Sequence, residues 1–211
     1  HLLSEDAIDK VMHELSPAMN LGLQGANEKL YNALMYGISV TEFIDGKKAS
    51  MTVQLINWKE PKNNSFHFTE EMVVQNAEGT GNRIPDIVCF VNGLPFVVIE
   101  AKRPDSNKEG KSTCFEAVSQ HIRNQKQGEI PHLYAFSQLL LAVNGYDGLY
   151  ATCGTPEKFW AKWKEETIPE AEFVRFKNKK LESDKLDSLF AHRTRAAKDD
   201  YLSLVHAGDL T

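Results

Sequence analysis

A mixed α/β domain with a partly antiparallel sheet flanked by helices follows from the order of signals along the chain. Two segments of helical spacing come first, several segments of strand character follow in succession, and a helix and a strand then alternate. The dipeptides Asp45-Gly46 and Asn92-Gly93 mark hairpins within the strand-rich stretch, which makes part of the sheet antiparallel. The chain has 211 residues, 42% of them apolar and 25% charged, enough to build a packed core.

Each element can be justified in turn. Ser4-Glu5-Asp6 followed by Ala7, Ile8, Val11, Met12 and Leu15 reads as an N-cap, an acidic first turn and one apolar helix face, closed by Pro17. A second helix covers Asn27 to Met35, with Leu30, Ala33 and Leu34 at helical spacing and Gly37 as its stop. Strands at Ile38 to Phe43 and Ser50 to Ile56 flank Asp45-Gly46. After the polar loop Glu60 to Asn64, a strand runs from Ser65 to about Gln75, and Gly79 to Asn82 breaks it. Strands Pro85 to Val91 and Pro95 to Lys102 meet around Asn92-Gly93. Thr113 to Lys126 is a helix, and Gln138 to Val143 is a strand of the buried type, apolar from Leu139 onward. A short strand, Leu149 to Cys153, and a Trp-bearing helix, Pro156 to Glu166, complete a domain over residues 1–170, with helices in 1–36 and the core in 38–166. Residues 171–211 read as a charged linker.

Several classes fall away. Three cysteines, Cys89, Cys114 and Cys153, show no CxxC spacing, so a disulfide framework and a zinc site are both disfavoured against free thiols in a reducing, cytoplasmic setting. The longest apolar runs are too short to cross a bilayer, and no signal-peptide pattern opens the chain. Net charge is −5, but residues 102–126 hold six Lys or Arg against three Asp or Glu. Gly110-Lys-Ser-Thr113 lies between a strand and a helix, yet Asp105 stands where the phosphate-loop pattern needs its first Gly, so nucleotide binding there is rejected. His121 is read as an ordinary surface residue of its helix.

The chemistry-bearing stretch runs from Asn82 to Lys102. Two neighbouring apolar strands carry Asp86 at the start of one and Glu100-Ala101-Lys102 at the end of the other. Carboxylates within apolar strands are costly unless paired, and Mg²⁺ is one such partner because it prefers hard oxygen ligands. Strand alternation puts Phe96, Val98, Glu100 and Lys102 on one face. Asp86 sits opposite Glu100 only if the hairpin has a three-residue loop or a bulge of equal effect, because a plain two-residue turn sends the carboxylates to opposite faces. With that geometry Asp86, Glu100 and the Ala101 carbonyl can hold a metal. Lys102 can then orient the attacking water or offset phosphorane charge. Lys108 and Lys111, beside this strand end, suit contacts to phosphates, with a solvated loop as the alternative.

The run Arg83 to Lys102 resembles the nuclease motif of the motor (R) subunit of type I restriction endonucleases, members of the PD-(D/E)xK nuclease superfamily. The likeness continues through Ile56-Asn-Trp58, Pro61 to Asn64, Gln120 to Gln125, Ile130 to Tyr134 and Ser137 to Gly145. It implies a restriction-endonuclease-like core in which Asp86, Glu100 and Lys102 are catalytic and Gln120 matches the Gln of a Q-x-x-x-Y motif. The Tyr of that motif is Asn124 here. With Arg123, Asn124 is a DNA-backbone candidate. The superfamily also often uses a helix Glu before the first core strand, for which none of Glu5, Glu14 or Glu28 is assigned.

What the resemblance implies is a Mg²⁺-dependent DNA endonuclease domain from a bacterial or archaeal cytoplasm. Its substrate would be double-stranded DNA, its partners specificity and methyltransferase subunits, and its ATP-driven motor would lie beyond this chain. Two alternatives stay open: a nuclease-like docking module for DNA or other subunits that does not cleave, and a free-standing PD-(D/E)xK exonuclease or resolvase.

Overall fold

The structure, a computed structural model, describes residues 3–44, 46–103, 113–145 and 147–163. The expected tail at 171–211, Lys108 and Lys111 lie outside the described residues.

Helix α1 (Glu5–Leu15) starts where the sequence puts it, with the Ser4 side chain accepting from the Ala7 N–H. Its apolar face, Ala7 and Val11, packs on a two-stranded ribbon of β1 (Ile38–Ile44) and β2 (Lys47–Val53) through Ile38 and Val40. Strand β2 begins earlier than expected, because the ribbon pairs right up to its turn, with Ile44 opposite Lys47. Helix α2 (Gly22–Tyr36) is also longer than its apolar periodicity suggested, extending back to Gly22.

The central sheet has the strand order β10-β9-β8-β7-β6-β3. Its members are β3 (Phe66–Glu70), β6 (Ile87–Val91), β7 (Leu94–Ala101), β8 (Leu139–Val143), β9 (Gly148–Ala151) and β10 (Ala161–Lys162). Only the β7–β8 pair is parallel. The parallel step needs a crossover, and helices α3 (Cys114–Asn124) and α4 (Pro131–Phe136) lie within it. A small pair, β4 (Val74–Gln75) with β5 (Asn82–Arg83), stands apart. The sequence led us to expect one strand from Ser65 to Gln75. The chain instead breaks at Glu71, a non-glycine residue at φ 48, between β3 and β4. Helix α4 had no sequence signal of its own: six residues opened by a proline are too short to show a period.

The end of the chain also differs from expectation. No helix spans the described part of Pro156 to Glu166, which forms a single 3₁₀ turn at Glu157–Phe159 followed by β10. Tertiary contacts override the helical pattern. Trp160 is buried in the main core, and Trp163 packs edge-on against Tyr150 of the neighbouring strand.

The core explains why the sheet sits where it does. Val88, Val98, Leu140 and Ala142 face Ala117 and Val118 of α3 and Leu133 and Tyr134 of α4, whereas Ile87, Ile99 and Leu141 line the opposite face. Strands β7 and β8 are therefore apolar on both faces, as parallel neighbours covered on both sides require. Cys89, Cys114 and Cys153 are free thiols, two of them buried.

The β6–β7 hairpin decides the site. Asn92 at φ 51 and Gly93 at φ 83 make a two-residue turn of the kind that matches strand twist. Val91 pairs with Leu94 and Phe90 with Pro95, but Cys89 pairs with Val97, so Phe96 is the extra residue of a bulge. Beyond it Val88 pairs with Val98 and Ile87 with Ile99. That register puts Asp86 opposite Glu100. Of the two ways the sequence allowed, the bulge is the one used.

Asn92 anchors this turn. Its side chain donates to Leu55 O (2.8 Å) and Asn64 Oδ1 (2.9 Å) and accepts from the Ser65 N–H (2.8 Å). Replacing it with Ala removes these bonds and puts a Cβ-bearing residue less tolerant of positive φ in the turn. We expect Asn92→Ala to lower the unfolding free energy by about 2 kcal/mol in urea titration.

Candidate active site

Asp86, Glu100, Ala101 and Lys102 converge at the end of the β6–β7 hairpin, on the sheet face that α3 covers. The Ala101 N–H donates to Asp86 Oδ2 at 2.7 Å, and the Asp86 carbonyl accepts from the Glu71 N–H at 2.9 Å. These two bonds fix Asp86 from both sides after its strand pairing has ended. The Lys102 backbone N–H donates to Val143 O at 2.8 Å, continuing the parallel ladder to β8. Its ammonium then turns back, donating to Ala101 O at 3.2 Å and lying 3.6 Å from Asp86 Oδ2.

Glu100 is the anomaly. It is 1% exposed, and its Oε2 has no hydrogen-bond partner among the described residues. Burial, the Asp86 charge beside it and a hydrogen bond shared with the Asp86 carboxylate push its pKa up to about 8, against the opposing pull of Lys102 and Arg123. Such a carboxyl favours its protonated form near neutral pH, and a cation bound beside it would displace that proton. The oxygens able to hold a hard cation are those of Asp86 and Glu100 and the carbonyl of Ala101, to which the Lys102 ammonium already brings a positive charge. No group of three His, Cys, Asp or Glu side chains gathers at a metal-sized site among the described residues.

Helix α3 closes the site from behind. Asn124 is 2% exposed, and its Nδ2 donates to Glu100 Oε1 at 3.4 Å. It therefore lies inside the fold, facing a carboxyl group, and not on the surface that its candidate role as a DNA-backbone contact would require. Arg123, its neighbour, is exposed as expected. Gln120 is half-buried one turn earlier on the same side of the helix, and its Oε1 also has no partner among the described residues.

His121 corrects the sequence reading outright, for it is fully buried rather than on the helix surface. Leu141 O, which can only accept, lies 2.9 Å from Nε2, so Nε2 carries the proton. Nδ1 of the neutral ring then accepts from the Tyr134 hydroxyl at 3.0 Å. Burial lowers the His121 pKa to about 4, which keeps the ring neutral. Burial foremost, and then the proximity of Glu100, raises that of Tyr134. Sequence reasoning missed Tyr134 and Glu71 as neighbours of the site, since neither is near it in sequence. Among the upstream glutamates, Glu14 pairs with Lys29 at 3.0 Å and Glu28 is exposed.

A family model described as the type I restriction enzyme R protein N terminus matches residues 2–159. The chain belongs to this family. Among curated relatives it is 31% identical over 191 residues to the putative type I restriction enzyme MjaVIIIP endonuclease subunit of Methanocaldococcus jannaschii, covering 90% of this chain and 16% of that protein. It is 28% identical over 162 residues to the putative MjaIXP endonuclease subunit of the same organism, covering 76% of this chain and 15% of that one. The type I restriction enzyme HindI endonuclease subunit of Haemophilus influenzae is 27% identical over 162 residues, covering 77% and 15%. The chain thus spans roughly a sixth of the length of these relatives and corresponds to the N-terminal domain of such a subunit. No helix among the described residues is long and apolar enough to cross a membrane.

The two perturbed buried groups give the domain a pH signature. The raised pKa of Glu100 means the native state holds an extra proton between about pH 4.5 and 8, so this contribution to stability is lost as pH rises through that window. The lowered pKa of His121 acts oppositely, removing stability as pH falls from about 6.5 to 4. Above pH 6.5 only the Glu100 effect remains of the two. We expect the metal-free protein to lose about 2 kcal/mol between pH 6.5 and 8. Glu100→Gln should flatten that slope, as read by urea unfolding across the same range.

Proposed function

We propose that this domain cleaves double-stranded DNA by phosphodiester hydrolysis as the nuclease of a type I restriction enzyme. The observation that carries the reading is the buried Glu100 carboxyl, with one oxygen unpartnered, set beside Asp86 and Lys102 at the end of a hairpin whose bulge brings them together. An apolar side chain in that position would cost nothing, so a carboxyl buried there with one oxygen lacking a donor points to chemistry.

The chemistry assigns roles to this chain's own residues. Asp86, Glu100 and the Ala101 carbonyl would hold Mg²⁺. The ion would supply Lewis-acid polarisation of the scissile phosphate. Asp86 is kept ready by the Ala101 N–H, which orients its Oδ2. Lys102 has its ammonium already at the oxygen cluster, where it can orient the attacking water and offset charge on the pentacovalent phosphate. Gln120, with a free amide oxygen on α3, is suited to position the substrate or a water beside Glu100. Exposed Arg123 and the basic stretch at 102–126 supply contacts to the DNA backbone.

On this reading residues 1–170 form the nuclease domain and 171–211 lead toward the ATP-driven motor in the rest of the subunit. We assign sequence choice to specificity and methyltransferase partners in a cytoplasmic complex, since no helix among the described residues has the form of a base reader.

The test is Asp86→Ala in the assembled enzyme, assayed side by side for ATP hydrolysis, translocation and DNA cutting. Cutting should fall by about 10²-fold or more, while the other two activities persist. Retained cutting would eliminate the assignment, and loss of all three would favour a docking role. Millimolar Mg²⁺ should also raise the melting temperature of the wild type and not that of Asp86→Ala.

A further inference from the structure

Asn124 stands behind Glu100 as part of a chain of buried polar groups whose directions are all determined. Leu141 O accepts from His121 Nε2, and His121 Nδ1 accepts from the Tyr134 hydroxyl. The Tyr134 oxygen is left to accept, and the Asn124 amide lies within reach of it. At the other end, Arg123 Nε and Nη2 both donate to Asn124 Oδ1 at 3.1 Å. A guanidinium only donates, so the amide oxygen must face Arg123 and the amide N–H groups must face inward. One of them meets Glu100 Oε1 at 3.4 Å.

We propose that Asn124 is a positioning residue for the metal site: its amide, oriented by Arg123 and Tyr134, grips Oε1 of Glu100 and leaves Oε2 for the cation. The inference rests on the metal-dependent nuclease reading above and goes beyond it by assigning the rotamer of Glu100 to a buried amide on α3. The unequal state of the two Glu100 oxygens carries it. Oε1 has the Asn124 donor, whereas buried Oε2 has no donor among the described residues, and the carboxyl also shares its proton with the neighbouring Asp86 carboxylate, the proton a bound cation would replace. An amide is the right group for the task. It donates to the carboxyl without adding a charge that competes with the cation, which a Lys or Arg there would do. Because Arg123 is exposed, the same guanidinium that sets the amide also meets solvent at the surface.

Second-sphere partners of metal ligands typically change metal affinity by about ten- to a hundredfold when removed. The experiment uses the complete endonuclease subunit, with free Mn²⁺ followed by electron paramagnetic resonance. Asp86→Ala serves as the reference, so that Mn²⁺ bound elsewhere in the chain is subtracted. Asn124→Ala should weaken the Asp86-dependent Mn²⁺ binding by about tenfold with an unchanged circular dichroism spectrum. Arg123→Ala, which frees the amide to flip, should weaken it by about threefold, and Arg123→Lys should restore much of the loss. Wild-type Mn²⁺ affinity in Asn124→Ala, with binding lost in Asp86→Ala, overturns the positioning role and leaves the metal reading intact. Should Asn124→Ala fail to fold, Arg123→Ala carries the test: a weakened site supports the proposal and an unchanged one overturns it. Absence of any Asp86-dependent Mn²⁺ binding in the wild type overturns the metal reading, and this inference with it.

Discussion

A carboxyl group buried in the central strand of a sheet is the constraint around which this domain is arranged. Glu100 sits in β7, between its antiparallel neighbour β6 and its parallel neighbour β8, under helix α3. Removing a carboxylate from water without compensation costs several kcal/mol, and the group responds by holding its proton. Asp86 is kept opposite by the Phe96 bulge, Lys102 is kept near by the last hydrogen bond of the β7–β8 ladder, and Asn124 is kept behind by α3. Each of those placements would be idle around a valine.

The support for that group is itself buried and polar. His121, Tyr134 and Asn124 have almost no exposed surface, and between them they satisfy one another, a backbone carbonyl of β8 and one oxygen of Glu100. A buried polar network that is fully connected rigidifies its surroundings, whereas a partly connected one is costly. Among the described residues four buried side-chain atoms lack a hydrogen bond: Arg83 Nε and Glu129 Oε2 face each other in an ion pair, whereas Glu100 Oε2 and Gln120 Oε1 lie on or next to the candidate site, with the satisfied groups behind it. That division separates scaffold from working surface. The edge of His121 against Tyr134, and its ring over Trp160 at 5.2 Å, further tie the network to the apolar core.

Much of this domain was legible in the residues alone. The capped first helix, the ribbon around Asp45-Gly46, the Asn92-Gly93 hairpin and the buried strand Leu139–Val143 all follow from local rules of capping, turn chemistry and periodicity. The pairing of an Asp on one apolar strand with Glu-x-Lys on the next was equally visible, because carboxylates in such strands are anomalous wherever they occur. Local rules also failed where tertiary contacts outweighed them. Pro156 onward carries a helix-like pattern but became an edge strand, drawn there by Trp160 and Trp163. The strand from Ser65 broke at Glu71, whose backbone N–H was taken by Asp86.

The sequence by itself determined which residues are candidates for the chemistry, since residue type and strand alternation are properties of the chain. Only the tertiary structure decided how they meet. Whether Asp86 and Glu100 share a face depends on one extra residue in a hairpin, and both a bulge and a longer loop were compatible with the same letters. Whether His121 and Asn124 point outward or inward depends on which side of α3 the sheet covers, and that is set by the packing of Ala117 and Val118 against β7 and β8. Tyr134 reaches the site from a different helix, ten residues beyond Asn124 and across a turn, a proximity that no spacing rule encodes. Long-range burial, which is a sum over the whole fold, made those choices.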